Sequence, residues 1–568
     1  MRKRIWIALA GAGVLAAVIF YAAPFQTSAP PLAGWFPSGS SLYLEAKDFS
    51  AELRAWNQSA EKQRWLASAR YEGFSRSNLF LKLDTAWQEF TAAGQLLPEA
   101  SMLDSIAGKE SALALYDIGN LEFLYVTRLA GARAIETAMW ESRAKYEPRR
   151  AGNFDFFVRR ESGRTVAFAV AGDYLLLGTR EELVAGALRL LSGERLTTLQ
   201  DEAWYHDSVS AAGAPGDVRL ATNLEALVKS PQYRSYWIHR NASEVRNYRA
   251  AVSDLERSRG EIREERFLLR QSATAAVAGS VEPLLRLAPE TAALVRAYCA
   301  PAASQVAKRI EEKLLAPKPV SRRPSDYAPV VEAGNGQTGN EADLETRIDE
   351  PPLEAQSAIS LDDLTRVLGS APLSGVLEVQ TSRSLSDGVF VDTPSVLAIE
   401  AARPWDGAAV RRALTNAAAS VWTTAGAGTA WVEQRRGARR WYAMEGLARL
   451  QMAVDGNLLL LANSEEALGQ VLDRIDRRPA ASDAVSVAVF RHSAARADYR
   501  RMMMLLDQAQ PGGYSRLGAR DGQQGQRPRF FADDLWSLSE VFNSVQEVEV
   551  RTQDAGAGLR EAVTYRLR

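Results

Sequence analysis

Two adjacent carboxylate pairs, Glu181-Glu182 and Glu465-Glu466, each stand directly after an apolar run, in GDYLLLGTREELVAGAL (172–188) and GNLLLLANSEEALGQVL (456–472). Carboxylates in pairs can act as general acid and base, or ligate a cation. Here the spacing argues against a shared task. Neighbouring helix positions diverge by about 100° around the axis, so the two groups do not converge on one bond. The residues just ahead, Thr179-Arg180 and Asn463-Ser464, complete a capping-box pattern. In that pattern Thr179 or Asn463 supplies the cap oxygen for the N3 backbone N–H, and the N3 carboxylate reaches back. Both pairs are therefore expected to open helices, where their charge also complements the helix dipole.

Arginines offer a second chemistry. VRRESGRT (158–165) holds Arg159, Arg160 and Arg164, and EQRRGARRW (433–441) holds Arg435, Arg436, Arg439 and Arg440. Both read as hairpin tips in matching positions of a repeated unit. Guanidinium groups at a turn suit the phosphates of lipid headgroups or an anionic wall polymer. The alternative is ordinary charge on a solvated turn. Neither cluster interleaves the aromatic rings on which nucleic acid bases stack. PQYRSYWIHRN (231–241) concentrates Tyr233, Tyr236 and Trp237, which suits a binding patch or the packed seam between domains. Met502-Met503-Met504 reads as buried helix rather than an adaptable surface.

Metal and nucleophile chemistry find little footing. The single cysteine, Cys299, excludes an internal disulfide and multi-cysteine metal sites, and reads as a small buried hydrophobe. The three histidines, His206, His239 and His492, form no i, i+4 pair. There is no GxSxG elbow, no SxxK, no GxGxxG opening a helix and no Walker lysine. The expectation is no catalytic residue, no metal and no cofactor.

The elements that must carry these residues belong to a chain of 568 residues, 46% hydrophobic and 24% charged, with a formal net charge of −1. That length asks for more than one core. The balanced charge gives no bulk attraction to nucleic acid. At the N-terminus Arg2, Lys3 and Arg4 precede an uncharged run from Ile5 to Ala23. At about 1.5 Å per residue the run matches a ~30 Å hydrocarbon core, and it also lies near the upper length of a signal-peptide core. Cleavage after Ala23 would put Tyr21 at the −3 position, and cleavage after Ala29 would put Pro30 beyond the bond. An uncleaved transmembrane anchor in residues 1–24 is preferred, its basic tip in the cytoplasm and the body outside.

Sliding the chain by 284 positions lays Gly172 on Gly456, Leu175-Leu176-Leu177 on Leu459-Leu460-Leu461, and one glutamate pair on the other. LEFLYVTRLAGARAIETAMW, from Leu121, pairs with SVLAIEAARPWDGAAVRRAL, from Ser395, as strand then helix. EERFLLR (264–270) pairs with AVTYRLR at the chain end, each as the second arm of a closing hairpin. The fold class is thus α+β: a transmembrane helix, then two tandem related α+β repeats with mainly antiparallel sheets, over 30–282 and 283–568. The second repeat is interrupted by a Pro/Gly/acidic insertion, 316–357, too poor in apolar residues to order itself, and by a flexible loop, 508–530.

FPSGSSLYLEAKD, AGKESALALYDIGNLEFLYVTRL, GDYLLLGTREELVAGAL, GDVRLATNLEAL and YRSYWIHRN together resemble a bacterial family of membrane-anchored periplasmic proteins of unknown function. The resemblance covers most of the first repeat and implies a place in the cell envelope, with no catalytic residues to carry over. The expected role is non-catalytic: a binding or scaffold module for another envelope protein or an anionic polymer, through the cleft between repeats or the arginine tips. The alternative is an envelope hydrolase whose site is assembled from scattered residues.

Overall fold

The computed structural model describes residues 31–567 except 68–70, 72–77, 95–99, 130–137, 162, 230–244, 316–358, 382, 385–390, 423–429, 438, 445–448, 478–482 and 495–543. The expected membrane helix, the Tyr233, Tyr236 and Trp237 cluster, the methionine run, the 316–357 insertion and the 508–530 loop all lie outside the described residues. Among the described residues no helix is long and apolar enough to cross a membrane.

The protein is a mixed α/β structure built on one large antiparallel sheet. The first half supplies β1 (Leu42–Asp48), β2 (Lys109–Asp117), β3 (Glu122–Arg128), β4 (Glu147–Ala151), β5 (Phe154–Glu161), β6 (Arg164–Ala171), β7 (Tyr174–Gly178), β8 (Val218–Asn223), β9 (Tyr248–Ser258) and β10 (Glu261–Arg270). The second supplies β11 (Leu294–Cys299), β12 (Leu373–Gln380), β13 (Ser395–Ala401), β14 (Trp431–Arg436), β15 (Arg439–Met444), β16 (Leu450–Asp455), β17 (Leu458–Ala462), β18 (Ser486–Arg491), β19 (Val545–Asp554) and β20 (Gly558–Leu567). Two short strands, Arg383–Ser384 and Val391–Asp392, pair apart from the sheet.

In the first half the strands lie in the order β4-β5-β6-β7-β3-β2-β1-β8-β9-β10. Adding ten to every number gives the order of the second half. The halves meet where β10 runs antiparallel to β20, from Glu261 opposite Arg566 to Leu269 opposite Gly558. The closing hairpins expected at 264–270 and at the chain end are therefore the seam of the molecule.

Helices cover both faces. Between β1 and β2 lie α1 (Phe49–Gln58), α2 (Asn78–Ala93) and α3 (Ala100–Ile106); α4 (Glu181–Leu191) follows β7 and α5 (Ala203–Ala212) precedes β8. In the second half α6 (Glu282–Leu285) precedes β11, α7 (Ala303–Ile310) and α8 (Asp362–Leu368) lie between β11 and β12, α9 (Gly407–Trp422) follows β13, and α10 (Glu465–Leu472) follows β17.

The two Gly-led leucine segments show how local chemistry sets this frame. Gly172 and Gly456 each take the first place of a two-residue hairpin turn, at φ 62° and 60°, where a side chain would be strained. The leucine runs that follow are buried on both faces, which is why they are continuous rather than alternating. Leu176 enters the core beneath α4, while Leu175 and Leu177 enter the core on the other face. The α4 stripe of Leu183, Val184, Ala187 and Leu188 recurs in α10 as Ala467, Leu468, Val471 and Leu472, all buried.

Two expectations need correction. Thr179 and Asn463 are not helix caps. The α4 cap is Arg180, with no side-chain cap bond, and the α10 cap is Ser464, whose hydroxyl accepts from the Ala467 N–H at 3.3 Å. Instead Thr179 Oγ1 accepts from the Phe123 N–H at 2.9 Å and donates to the Leu121 carbonyl at 3.3 Å. Asn463 does the same with an amide, accepting from the Ser395 N–H at 2.7 Å and donating to the Thr393 carbonyl at 3.1 Å. Both residues latch the end of one strand to the start of its neighbour, β3 or β13. The arginine clusters also do not occupy matching places. Arg159, Arg160 and Arg164 flank the turn from β5 to β6, whereas Arg435, Arg436, Arg439 and Arg440 flank the turn from β14 to β15. Those turns lie at opposite ends of corresponding strands.

Candidate functional site

The arginine tips are mostly consumed in local pairs. Arg159 donates to Glu161 at 3.1 Å and to the Lys145 carbonyl at 3.3 Å. Arg160 pairs with Glu181, which Arg149 also approaches at 3.6 Å. Arg180 lies 2.9 Å from Glu122 and 3.5 Å from Glu182. The first glutamate pair is thus tied into surface ion pairs. Arg435 lies 2.7 Å from Glu433, and Arg439 lies 2.6 Å from Asp476 and 3.7 Å from Asp455. Arg436 lies against Gly469 of α10, where an added Cβ would come within 3.0 Å of its guanidinium, and Arg440 is exposed. The structure does not gather these seven residues into one surface. Exposed pairs of this sort contribute about 0–1 kcal/mol each.

Arg164 has a different role. From the start of β6 its Nε and Nη2 donate to Glu89 Oε2 of α2 at 2.9 and 2.7 Å, and its Nη1 donates to the Asn120 carbonyl at 3.1 Å. This clamp fixes α2 above the sheet at the rim of a cavity of about 560 Å³. The cavity floor is the sheet: Leu44 and Ala46 of β1, Leu113 of β2, Phe123 and Tyr125 of β3, Leu177 of β7. Its roof is Phe49 of α1, Trp87 and Phe90 of α2, and Leu103 and Ile106 of α3. Leu103, one of these roof residues, is 37% exposed.

Among the described residues, the polar atoms of Ser111 and Tyr125 in the wall are engaged within the protein. Ser111 Oγ lies 2.6 Å from Thr127 Oγ1 and donates to the Gly108 carbonyl at 3.1 Å. The Tyr125 hydroxyl donates to the Ile106 carbonyl at 2.9 Å, and burial pushes its pKa up. At the rim Glu122 is held by Arg180 and Glu89 by Arg164. Among the described residues the floor and roof accordingly offer an apolar guest mainly dispersion contacts, with Ser111 and Tyr125 already engaged. The volume falls within the roughly 300–1,000 Å³ of small-ligand sites.

Among the described residues the same face of the second half is a filled core. There Val306, Ala307 and Ile310 of α7, Leu314 and Leu315 just beyond it, and Leu364 and Leu368 of α8 pack directly on Val376, Leu397 and Ile399. The buried Glu378 carboxylate holds this cover down through Lys313 at 3.0 Å and Arg309 at 3.7 Å. One frame is closed by short aliphatic helices in one half and held open by bulky aromatic ones in the other.

The remaining candidates are structural. Cys299 is half-buried, and burial first, then the Glu400 charge, push its thiol pKa up, away from a reactive thiolate. His206 is exposed, 3.3 Å from Asp207, and the His492 ring meets Phe490 edge-on. Among the described residues no three His, Cys, Asp or Glu side chains gather as metal ligands. A polar cluster does lie under α5, on the sheet face opposite the cavity. Tyr43 donates to Glu45 at 3.1 Å, burial raises the Glu45 pKa, and Arg219 and Asp254 form a buried bidentate pair beside them.

Sequence reading missed the cavity because its roof is the helical connection between β1 and β2, whose distance from the sheet no local pattern records. The one signal was a surplus of large apolar residues in NLFLKLDTAWQEFTAA, more than a single buried stripe requires.

No family model and no curated protein matches the chain. Among solved structures it is similar to crystal form I of TP0453, at 14% identity over 44% of this chain and 82% of that one, with a TM-score of 0.22. Crystal form III of TP0453 is similar at 13% identity over 43% and 81%, with a TM-score of 0.23. Likeness this slight transfers no property.

Proposed function

We propose that the chain is a non-catalytic binding protein of the bacterial envelope, anchored by its N-terminal helix with its body outside the cytoplasmic membrane. Its ligand is an apolar chain, of the kind carried by lipids, held between the first-half sheet and α2. The observation that carries this reading is the cavity of about 560 Å³, walled largely by Leu, Phe, Trp and Tyr side chains, with the Ser111 and Tyr125 hydroxyls already hydrogen-bonded. The basic tip and the uncharged run from Ile5 to Ala23 support the anchor. The strand-for-strand correspondence supports two tandem repeats derived from one unit, of which the second keeps a filled core and the first has opened.

The test uses the full chain in phosphatidylcholine nanodiscs, with empty nanodiscs as the blank, and a fluorescent polyunsaturated fatty acid as probe. Saturable binding of one probe per chain is expected. Leu113→Trp places an indole in the floor and should weaken binding at least tenfold, about 1.4 kcal/mol, without lowering the melting temperature. No probe signal above the blank, or full binding by both Leu113→Trp and Leu177→Trp, would sink the reading.

The rim clamp gives a separate expectation. Arg164→Ala frees α2 from the β6 end, and because the pair is exposed it should cost no more than about 1 kcal/mol of stability. Probe release should nevertheless speed up several-fold in stopped-flow displacement, since changes at a binding site appear mainly in the off-rate. An unchanged off-rate would mean that α2 is held by its apolar contacts alone.

A further inference from the structure

In the first half α5 lies across β8, β9 and β10, with Trp204 and Tyr205 buried on Ala221, Ala250 and Val252. Among the described residues nothing plays that part over β18, β19 and β20. The exposed ground there is charged instead of apolar. A cleft of about 420 Å³ lies between these strands, α6 and the end of α10, and six arginines and three glutamates line it.

The glutamates are shared out among the arginines. Glu547 meets Arg491 at 2.8 Å and also meets Arg566, while Glu549 meets Arg551 at 2.6 Å and Arg566 at 3.0 Å. The buried Glu282 meets Arg551 at 2.7 Å. At the rim Glu290 reaches Arg474 at 3.6 Å and Arg477 at 4.0 Å. With that fourth carboxylate counted, two positive charges are left over among the described residues. Arg286 shows the deficit directly: its Nη1 donates to the Arg477 carbonyl at 3.2 Å, but its buried Nε has no partner among the described residues. A buried N–H without an acceptor is costly, and guanidinium forks match the oxygens of phosphate.

We infer that this cleft binds a phosphate-bearing dianion, with Arg286 and Arg474 as its principal contacts. The two unbalanced charges set the ligand charge, the orphan N–H of Arg286 asks for an acceptor, and the three sheet arginines are held in place by Glu547 and Glu549. This site is in the half opposite the apolar cavity and stands independently of it. The phosphate can belong to a soluble ester or to a lipid headgroup.

The experiment uses the full chain in phosphatidylcholine nanodiscs, titrated with inorganic phosphate, glycerol 3-phosphate and succinate, and separately the chain in nanodiscs that contain phosphatidic acid. Binding is read by calorimetry and by phosphorus NMR line width. Binding of either soluble phosphate points to a soluble ester, whereas broadening of phosphatidic acid alone points to a headgroup, and both support the site. Arg286→Gln and Arg474→Gln should each weaken binding about tenfold. Glu290→Gln removes a competing carboxylate and should tighten it several-fold, a gain that a misfolded variant cannot mimic. Equal binding of succinate, no binding of any phosphate probe, or indifference to all three substitutions would overturn the proposal.

Discussion

Replacing Asp254 by alanine is expected to lower the stability of the first half by about 3–5 kcal/mol, the cost of leaving a buried charge unpaired. Arg219 and Asp254 meet through two bonds of 2.7 Å, with side chains only 4% and 8% exposed. Each has a further partner: Arg219 donates to the Gly213 carbonyl at 2.8 Å and Asp254 accepts from the Gly216 N–H at 3.1 Å. The pair therefore ties β8 and β9 to the chain leaving α5, and its loss should loosen the helix as well. Urea unfolding followed by tryptophan fluorescence reads this out, because Trp204 of α5 is buried in the same core. The double replacement Arg219→Met with Asp254→Leu should recover most of the loss, since an apolar pair removes the desolvation cost along with the attraction. A loss below about 1 kcal/mol in Asp254→Ala would show that water reaches the site and that the pair behaves as a surface one.

The second large effect lies at the seam. Arg270 of β10 and Asp554 of β19 form a bidentate pair across the two halves at 2.7 and 2.9 Å, with side chains 17% and 2% exposed. The Arg270 bond, helped by N–H groups of Gly556 and Val277 and opposed by burial, holds the Asp554 carboxyl down to about 2 from an ordinary 3.8. A depressed carboxylate pKa contributes stability that is present above the unfolded value and is lost as pH falls through the folded one. Here the window runs from about 4 down to about 2, and the contribution at neutral pH is about 2 kcal/mol. Arg270→Met should therefore destabilise the chain at pH 7 and move its acid transition upward. The gap from wild type should close as both approach pH 2, as followed by circular dichroism. A gap that persists undiminished at pH 2 would assign the effect to lost packing of the arginine stem instead.

Much of the frame is legible in the sequence alone. The 284-residue offset, the glycine turns and the doubled leucine runs locate β6, β7, β16 and β17, because a buried strand between tight turns leaves a strong local trace. The closing hairpins were legible for the same reason. The failures have one physical source: partners distant in sequence. Thr179 reads as a cap because caps are local, yet its hydroxyl is engaged 56 residues upstream on Phe123. The arginine clusters match in composition, although the same offset carries Arg435 and Arg436 onto Ala151 and Gly152, at the other end of β5. The cavity was invisible because whether α2 and α3 lie flat on the sheet or stand off it depends on how Trp87 and Phe90 meet Phe123 and Leu113 across the layer. No periodicity records that.

The order of strands leaves β4 and β14 outermost, each with one neighbour among the described strands. Such rims carry unpaired backbone groups, and a second molecule could add to them end over end until a fibre forms. Their sequences answer that hazard. β4 reads EPRRA, four of its five residues exposed and one of them a proline, and β14 reads WVEQRR, exposed from Val432 onward. A charged rim repels its own copy, and proline offers no N–H to a newcomer. Arg435 and Arg436, which first suggest a grip on an anionic partner, are on this account gatekeepers against polymerisation, and they keep a sheet of this width finite.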